Sequence, residues 1–432
     1  MARYFFIFLL ALASFPAAAQ EGSGGVRRLT LQECLSIVAT GNYNRQSVAL
    51  NETANRDLYD QSKRDRRPNL TASVGESFSH TTGEAGTVGG NYSVNAGVTL
   101  WQGGSVNATI EKSRLAAEQA ALRTGQYDNE LAIQVLESFL TALGNEELLR
   151  YQQSIATASE EQLRQGKARY GSGDILESDY LLLEAQHASD LDNIFETRIN
   201  RDNSLNVLKG LMSMDMATDI EIVYPDDSAL ERMGVMPSEE DVLARSMESL
   251  PDVRISDYNV EIAETGVRIS RAAYAPTISA NAGIGTGHSQ FSNFGSQLSD
   301  RFNQQVGISV SIPLFNRGRT KSNVTQSRIA LRQAELERSQ TALDIEQTVT
   351  QQYRSVVAAE SKYRSSEIRS NAYSASFDTY RLKFEQGAIT AVEMLQQQNN
   401  YISAMNDYIR NKYGFMLRRK VLDVYMGEEI TM

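Results

Sequence analysis

The chain has 432 residues, 41% of them hydrophobic and 22% charged, and its formal net charge at pH 7 is −11. This acidic balance excludes a general nucleic-acid binder, because such proteins carry an excess of Lys and Arg that neutralises phosphates. Cys34 is the only cysteine, so the chain forms no internal disulfide.

Residues 1–19 have the pattern of a secretory signal peptide. Arg3 supplies a positive charge, Tyr4 to Phe15 form an apolar core, and Ala17 to Ala19 offer a small-residue cleavage site. An N-terminal anchor helix is the alternative, but it would need about 20 apolar residues to span a bilayer. The segment therefore predicts export from the cytoplasm.

Two predicted helices, over 30–63 and 239–271, each lead into a pair of strands. The hairpins cover 69–101 and 277–315; Pro68 and Pro276 precede them, and Pro313 marks a strand-to-helix transition. Each strand alternates apolar with small polar residues, the period-2 pattern of a sheet with two unlike faces. The apolar face either packs on a soluble core or meets lipid while the polar face lines a lumen. The polar faces are almost uncharged, and the strand length suits a tilted membrane strand, so the pattern favours a barrel.

Four strands cannot close a membrane barrel by themselves. A sheet edge exposed to lipid leaves backbone groups unpaired at several kcal/mol each, and known barrels begin at about eight strands. Two copies of the chain would give eight strands and a lumen filled by side chains, whereas three would give twelve and an open lumen. The sequence therefore predicts a homotrimer whose barrel is surrounded by membrane lipid.

Two long helical stretches follow the hairpins. Residues 104–169 and 319–383 contain no proline, and at about 1.5 Å per residue each would extend roughly 100 Å. Each ends at a glycine, Gly173 or Gly387, and a shorter helix returns. Their spacing of apolar residues suits coiled-coil packing. A soluble coiled-coil adaptor or structural protein is the alternative, but it leaves the alternating strands unexplained.

The two halves of the chain repeat each other. Gly173 and Gly387 stand 214 positions apart, as do Leu100 and Leu314. We predict a first repeat over 20–212, an equatorial connector over 213–236 and a second repeat over 237–432, which ends in a C-terminal equatorial segment. Internal duplication of this kind indicates one architecture built from two similar units.

Several duplicated motifs resemble those of the TolC-like outer-membrane channel family, over roughly residues 29–425. They are the Ser-Arg-[Leu/Ile]-Ala helix start, the Pro313-Leu-Phe-Asn-Arg-Gly transition, and an aromatic-x-x-Gly tip at Tyr170 and Phe384. The resemblance implies a mixed α and β fold: a trimeric twelve-stranded transmembrane β-barrel, four strands per chain, continued by an α-helical coiled-coil periplasmic barrel. It also implies an outer-membrane exit duct of a Gram-negative bacterium that meets a periplasmic adaptor protein and an inner-membrane pump.

The resemblance also suggests which residues work at the periplasmic aperture. Asp179 and Glu393 each lie six positions beyond a tip glycine, where the family places acids that form an anionic ring in the trimer. Gln396 stands where many members carry a second acid, and Ile389 where some carry an arginine. An ordinary solvated helix acid is the alternative for either carboxylate.

Aromatic and glycine residues complete the candidate set. Tyr170 and Phe384 either help to close the aperture or pack between neighbouring helices. Gly173 and Gly387 are expected to relax the tip turns, since glycine adopts positive φ freely, and to offer backbone to the adaptor. Trp101 and Tyr92 are expected in interfacial aromatic belts, with packing at a strand end as the alternative for each.

The sequence carries no pattern of catalytic, cofactor-binding or metal-ligating residues. The three histidines are scattered, and neither a phosphate-binding loop nor a nucleophile motif is present. We therefore expect a passive, gated duct for drugs, small molecules or polypeptides, driven by a partner pump. A channel dedicated to type I protein secretion is the alternative within the same family.

Overall fold

The computed structural model describes residues 26–83, 86–224, 234–290 and 293–430. The predicted signal peptide and part of the predicted connector lie outside these residues. Within them, no helix is long and apolar enough to cross a membrane.

Helices make up most of the described chain, and the first four have counterparts of nearly equal length in the second half. In chain order they are α1 (Leu31–Gly41), α2 (Tyr43–Arg64), α3 (Ser105–Ser172), α4 (Glu177–Leu211), α5 (Glu239–Ser249), α6 (Pro251–Ala272), α7 (Phe294–Asp300), α8 (Arg319–Glu385) and α9 (Ala391–Tyr425). The two long helices, α3 and α8, have 68 and 67 residues, and α4 and α9 both have 35. At about 1.5 Å per residue, α3 and α8 each extend roughly 100 Å.

The prediction of a single helix before each hairpin is wrong. The first breaks at Asn42, whose side chain accepts a hydrogen bond from the Arg45 amide (2.9 Å) and donates to the Leu211 carbonyl (2.9 Å). This cap begins α2 and ties the break to the end of α4. The second breaks at Leu250, because Pro251 cannot donate to the preceding turn and so begins a new helix.

The strands form two separate sheets. They are β1 (Arg27–Leu29), β2 (Asn69–Ser79), β3 (Thr87–Gln102), β4 (Ile220–Ile222), β5 (Thr277–His288) and β6 (Asn303–Ser311). The large sheet is antiparallel in the order β2-β3-β5-β6, so the two hairpins join through β3 and β5. The β6 strand ends two residues before Pro313, which has no N–H to donate to a ladder.

Three short elements, β1, β4 and α7, lie where the sequence predicted no helix or strand. The β1 and β4 strands pair in parallel, Arg27 with Ile220 and Leu29 with Ile222, and so place a sheet inside the predicted connector. The α7 helix lies between β5 and β6, within the second predicted hairpin, and packs on β5, where the Thr286 hydroxyl donates to the Leu298 carbonyl. Three-residue strands and a seven-residue helix are too short to leave a periodic signal in sequence.

Three buried apolar clusters hold the helices together. The largest joins α1, α3, α4 and α9 with both short strands, and Phe139 and Leu208 lie at its centre. A second cluster, here called the tip cluster, joins α4, α8 and α9 near their ends through Leu183, Phe377, Phe384, Ala391, Met394 and Leu395. The third packs α5 against α8 and α9. The large sheet contributes to none of them, which leaves both of its faces outside the core.

Candidate functional site

The two long helices end in the same turn. At the end of α3, the Asp174 amide donates to the Arg169 carbonyl (2.8 Å) and the Gly173 amide to the Tyr170 carbonyl (3.0 Å). At the end of α8, Ala388 and Gly387 repeat the pair at 2.8 and 2.9 Å. This is the Schellman arrangement, which needs a left-handed residue; Gly173 and Gly387 supply it at φ 82° and 72°. The conformation predicted for both glycines is present.

Arg169 joins the two tips. Its Nη1 donates to the Phe384 carbonyl (2.9 Å), and its guanidinium lies 5.2 Å from the centre of the Phe384 ring. A Cβ atom added to Gly387 would lie 3.4 Å from Arg169 Nη2, so the arginine packs closely along that turn. Sequence reasoning missed this residue, because its partner lies 215 positions away.

Glu393 lies in the first turn of α9 and closes a capping box with Thr390. Its carboxylate accepts hydrogen bonds from the Thr390 amide (2.9 Å) and hydroxyl (3.1 Å). These bonds favour the ionised form and hold the pKa of Glu393 below its usual value. Glu393 is exposed, so it combines a structural role at the helix start with a permanent negative charge at the tip.

Asp179 occupies the equivalent place in α4 under different local conditions. The residue before α4 is Leu176, which has no side-chain acceptor, so no capping box forms there. Asp179 is half-buried and Gln396 is exposed one turn beyond Glu393. The structure therefore gives the two predicted acids unequal surroundings, with the more exposed and better-defined carboxylate at Glu393.

The two tip aromatics differ as well. Phe384 is buried in the tip cluster, which favours the helix-packing alternative for this residue. Tyr170 is partly exposed and stacks on Tyr180, with ring centres 5.6 Å apart and planes at 10°. Of the pair, Tyr170 is the one that a neighbouring molecule can reach.

The large sheet presents a continuous apolar face to the surroundings. In the strand register, Leu70, Ala96, Ala282 and Val306 form one row across all four strands. Leu70 is 74% exposed and Val306 is 88% exposed. The next row on one side contains Val98, Ala280 and Ile308, and the next row on the other side contains Ala72, Val94 and Ile284. A single soluble domain rarely exposes an apolar surface of this extent, because burial of each CH₂ group lowers the free energy by about 0.8 kcal/mol.

A register shift brings Trp101 onto this face. Between Thr99 and Trp101 the β3 ladder slips by one residue, so Trp101 pairs with Ile278, whose side chain belongs to the apolar face. Tyr92 lies on the same face nine residues earlier, about 30 Å away along the strand. In a strand tilted by about 40°, this separation is near the ~25 Å height of an apolar membrane band.

A polar cluster that sequence reasoning missed lies just beyond the apolar rows. Glu76 of β2 and His288 of β5 share a row with Gly90 of β3, and His288 Nε2 lies 3.0 Å from Glu76 Oε2. The Tyr92 hydroxyl also donates to Glu76. A Cβ atom at Gly90 would lie 2.3 Å from His288 Nε2. The absence of a side chain at Gly90 therefore gives Glu76 and His288 the space to contact each other across β3. This row marks the end of the uncharged part of the face.

Nothing in the described residues resembles a catalytic or metal centre. Among them, no three His, Cys, Asp or Glu side chains are grouped so that they could hold a metal ion. The buried Cys34 thiol has a pKa raised to about 12 by burial, so it remains protonated and unreactive. The notable features are thus a membrane-type sheet and a charged helical tip.

This combination defines a channel protein of the outer membrane. The model of the family described as outer membrane efflux protein matches residues 37–213 and 242–428. The chain belongs to this family, a family of channels and not of enzymes. The resemblance found in the sequence is confirmed, as are the mixed α and β fold class, the outer-membrane localisation and the role as an exit duct.

Curated relatives are similar along much of the chain. The outer membrane efflux protein BepC of Brucella suis is 22% identical over 78% of this chain and 72% of its own. The solvent efflux pump outer membrane protein SrpC of Pseudomonas putida is 24% identical over 67% of this chain, but the match spans only 56% of SrpC. The alkaline protease secretion protein AprF of Pseudomonas aeruginosa is 22% identical over 74% of this chain and 66% of its own.

Solved structures share the fold at greater coverage. The open-state MtrE outer membrane channel of Neisseria gonorrhoeae superposes with a TM-score of 0.77 at 17% identity, over 92% of this chain and 89% of that one. The arrangement of helices and strands is therefore that of the channel fold, although few residues are shared.

Proposed function

We propose that three copies of this chain form one outer-membrane exit duct. The observation that carries the proposal is the four-stranded sheet, whose apolar face is exposed and whose outer strands β2 and β6 each have one edge that pairs with no other described strand. Three such sheets, joined β2 to β6, would close a twelve-stranded barrel with no free edge in lipid. Tyr92 and Trp101 would then lie in the two interfacial belts.

Exposed apolar stripes on the long helices support the same assembly. On α8, Ile329, Leu336 and Leu343 follow one another at seven-residue spacing, and all three are exposed in the single chain. On α4, Leu191, Phe195 and Ile199 form a second exposed stripe. Seven-residue spacing is the repeat of a coiled-coil seam, so we propose that neighbouring copies cover these stripes and close a periplasmic tunnel.

The chain would supply this assembly from two repeats, 20–212 and 237–432, joined by the connector 213–236. The matched helix lengths of 11, 22, about 68 and 35 residues in the two halves support the division. Pro68 and Pro276 stand at the junctions where the helices enter the barrel, and Pro313 at the junction where β6 leaves it. Each copy would therefore contribute two hairpins to the barrel.

At the periplasmic end, we propose that Glu393 forms the main anionic ring of the aperture. Three ionised carboxylates around one axis attract cations, and the capping box holds each at a defined place. Asp179 would form a second, weaker ring, and Gln396 would leave the adjoining level uncharged. Tyr170 would contribute an exposed aromatic near the same opening.

Glu393→Gln is expected to weaken the cation selectivity of the channel while leaving its architecture intact. Glutamine also serves in a capping box, so the variant removes the charge and preserves the helix start, which Glu393→Ala would not. Reversal potentials in planar bilayers under a salt gradient measure the change. Glu385→Gln, which removes another exposed acid near the tip, is the matched control. Equal selectivity in wild type and Glu393→Gln would exclude the ring.

The tip would also be the docking site for a periplasmic adaptor protein. Gly173 and Gly387 expose backbone at the two turns, because neither carries a side chain. Energy would come from an inner-membrane pump coupled through the adaptor, since a duct of this design needs no catalysis and no cofactor. Substrates would pass from the pump to the exterior through the trimer.

The assembly is tested by fractionating cells and measuring the mass of the detergent-extracted protein by size exclusion with light scattering. We expect a trimer in the outer-membrane fraction. A monomer or dimer extracted without detergent would mean that the apolar sheet face packs on protein, and the duct would be excluded.

A channel dedicated to protein secretion is the second candidate, and the similarity to AprF favours it. Export of a large polypeptide from cells that express this chain with its cognate pump would support secretion. Resistance to small toxic compounds without polypeptide export would support efflux.

A further inference from the structure

A layer of polar side chains separates the tip cluster from the largest apolar cluster. Four of its residues are buried, Ser159 and Gln162 on α3, Asp190 on α4 and Gln398 on α9, and the fifth, His187 on α4, is half-buried. On each of the three helices, the layer residues lie between residues of the largest apolar cluster and residues of the tip cluster. We name these five residues the Asp190 layer.

The carboxylate at its centre is buried without a cationic partner in direct contact. Asp190 is 2% exposed. Its oxygens accept hydrogen bonds from neutral groups only: Gln186 Nε2 at 2.8 Å, Gln398 Nε2 at 3.4 Å and the Ser159 hydroxyl. Within the residues that the structure describes, Asp190 forms no ion pair with Lys or Arg. An ionised carboxylate in such a place is costly, because neutral donors replace only part of the lost hydration.

Other polar atoms of the layer have no partner in the described chain. They are both amide atoms of Gln162 and the Oε1 atom of Gln398, which is 0% exposed. Each unsatisfied buried group costs about 1–3 kcal/mol. If the Gln398 amide rotates by half a turn, its Oε1 faces Asp190, and a proton on the carboxyl group can donate to it. One proton would thus neutralise the charge and satisfy Oε1, while the Gln398 NH₂ group moves to the place without a partner; the gain is the removal of the buried charge.

The second half of the chain shows that the fold does not require a polar layer. At the 214-residue offset, Ser159, His187 and Asp190 correspond to Tyr373, Tyr401 and Ala404. Tyr401 there packs on Phe377, with ring centres 5.9 Å apart. Of the four layer positions on α3 and α4, three are therefore replaced in the second helix pair by two tyrosines and an alanine, while Gln162 corresponds to Ser376.

We propose that the Asp190 layer is a proton-binding site that strengthens the packing of α3, α4 and α9 between the tip and the core when Asp190 is protonated. Its ligand is a single proton shared between the Asp190 carboxyl group and the Gln398 amide oxygen. The loss of that proton places an unpaired charge in the layer and weakens the connection to the tip.

The surrounding groups allow this behaviour. From α3, the Tyr151 hydroxyl lies near the layer: burial raises its pKa, and the nearby Tyr401 and Asp190 raise it further. From α4, His187 lies beside the layer, with Nδ1 3.1 Å from the Ser159 hydroxyl. From α9, Gln398 contacts Asp190, and the Tyr401 ring packs edge-on against the Tyr151 ring, with ring centres 5.6 Å apart.

Burial raises the pKa of Asp190, and the hydrogen bonds from Gln186 and Ser159, together with the charge of nearby His187, oppose the shift only in part. A carboxyl group whose pKa is higher in the folded state binds more protons when folded. Folded-state stability therefore falls as pH rises from the ordinary aspartate pKa through the raised value. Acidification across that window stabilises the layer.

Asp190→Asn tests the site in the full-length, detergent-solubilised protein, because asparagine imitates the protonated form. We expect the variant to unfold at a higher temperature than wild type at neutral pH and to lose the stabilisation that wild type gains on acidification. Asp192→Asn removes an exposed acid from the same helix and is expected to behave as wild type.

Infrared difference spectra between neutral and mildly acidic pH provide a second reading that does not depend on channel activity. We expect a protonated-carboxyl band in wild type and in Asp192→Asn that is missing from Asp190→Asn. The same band in Asp190→Asn, or an unchanged pH dependence of its unfolding temperature, would overturn the proposal. Neither result bears on whether the trimer is an exit duct, which fractionation tests separately.

Discussion

Val306→Arg is expected to prevent assembly of the channel in the outer membrane. Val306 belongs to the central apolar row of the large sheet and is 88% exposed in the single chain. An arginine that faces lipid at mid-depth costs about 2–4 kcal/mol, and a trimer would contain three of them. Heat-modifiable trimers on semi-native gels of outer-membrane fractions measure the loss.

The neighbouring residue provides a matched control. Gln305 lies on the opposite face of β6, where it pairs with Gly283, so Gln305→Arg places the same charge in the proposed lumen. We expect this variant to assemble and to alter conductance only. Normal trimer yield from Val306→Arg would contradict the assignment of this face to lipid.

Leu183→Ala is expected to loosen the periplasmic tip. Leu183 is 1% exposed and belongs to the tip cluster, and a Cβ atom added to Gly166 of α3 would lie 2.4 Å from its Cδ1 atom. Glycine at this position lets the leucine pack directly on the α3 backbone. Removal of a buried leucine side chain costs about 2–5 kcal/mol, including the cavity that remains. We expect larger and more frequent conductance steps in planar bilayers.

The control for this prediction is Leu176→Ala, which shortens a leucine in the same tip whose side chain is exposed. It is expected to leave the conductance near the wild-type level. If Leu183→Ala assembled normally and conducted as wild type does, the tip cluster would not hold the aperture closed.

Local signals in the sequence determined the main elements. Alternation identifies the strands and assigns Leu70 and Val306 to one face, because side chains in a strand point to opposite sides in turn. The proline-free stretches and the tip glycines give the long helices and their ends. Because the chain is duplicated at an offset of 214 residues, the same pattern supports each of these assignments in both halves. These features depend on residues within a few positions of one another, so they can be read without the fold.

The tertiary structure decided what depends on distant partners. The β-bulge that turns Trp101 to the apolar face depends on pairing with β5, and the contact of Arg169 with Phe384 joins the two halves. Asp190 lies in a helix rich in acids, and only the packing of three helices buries it. Burial, strand register and contacts between residues hundreds of positions apart depend on how the elements pack. A local sequence pattern does not specify that packing.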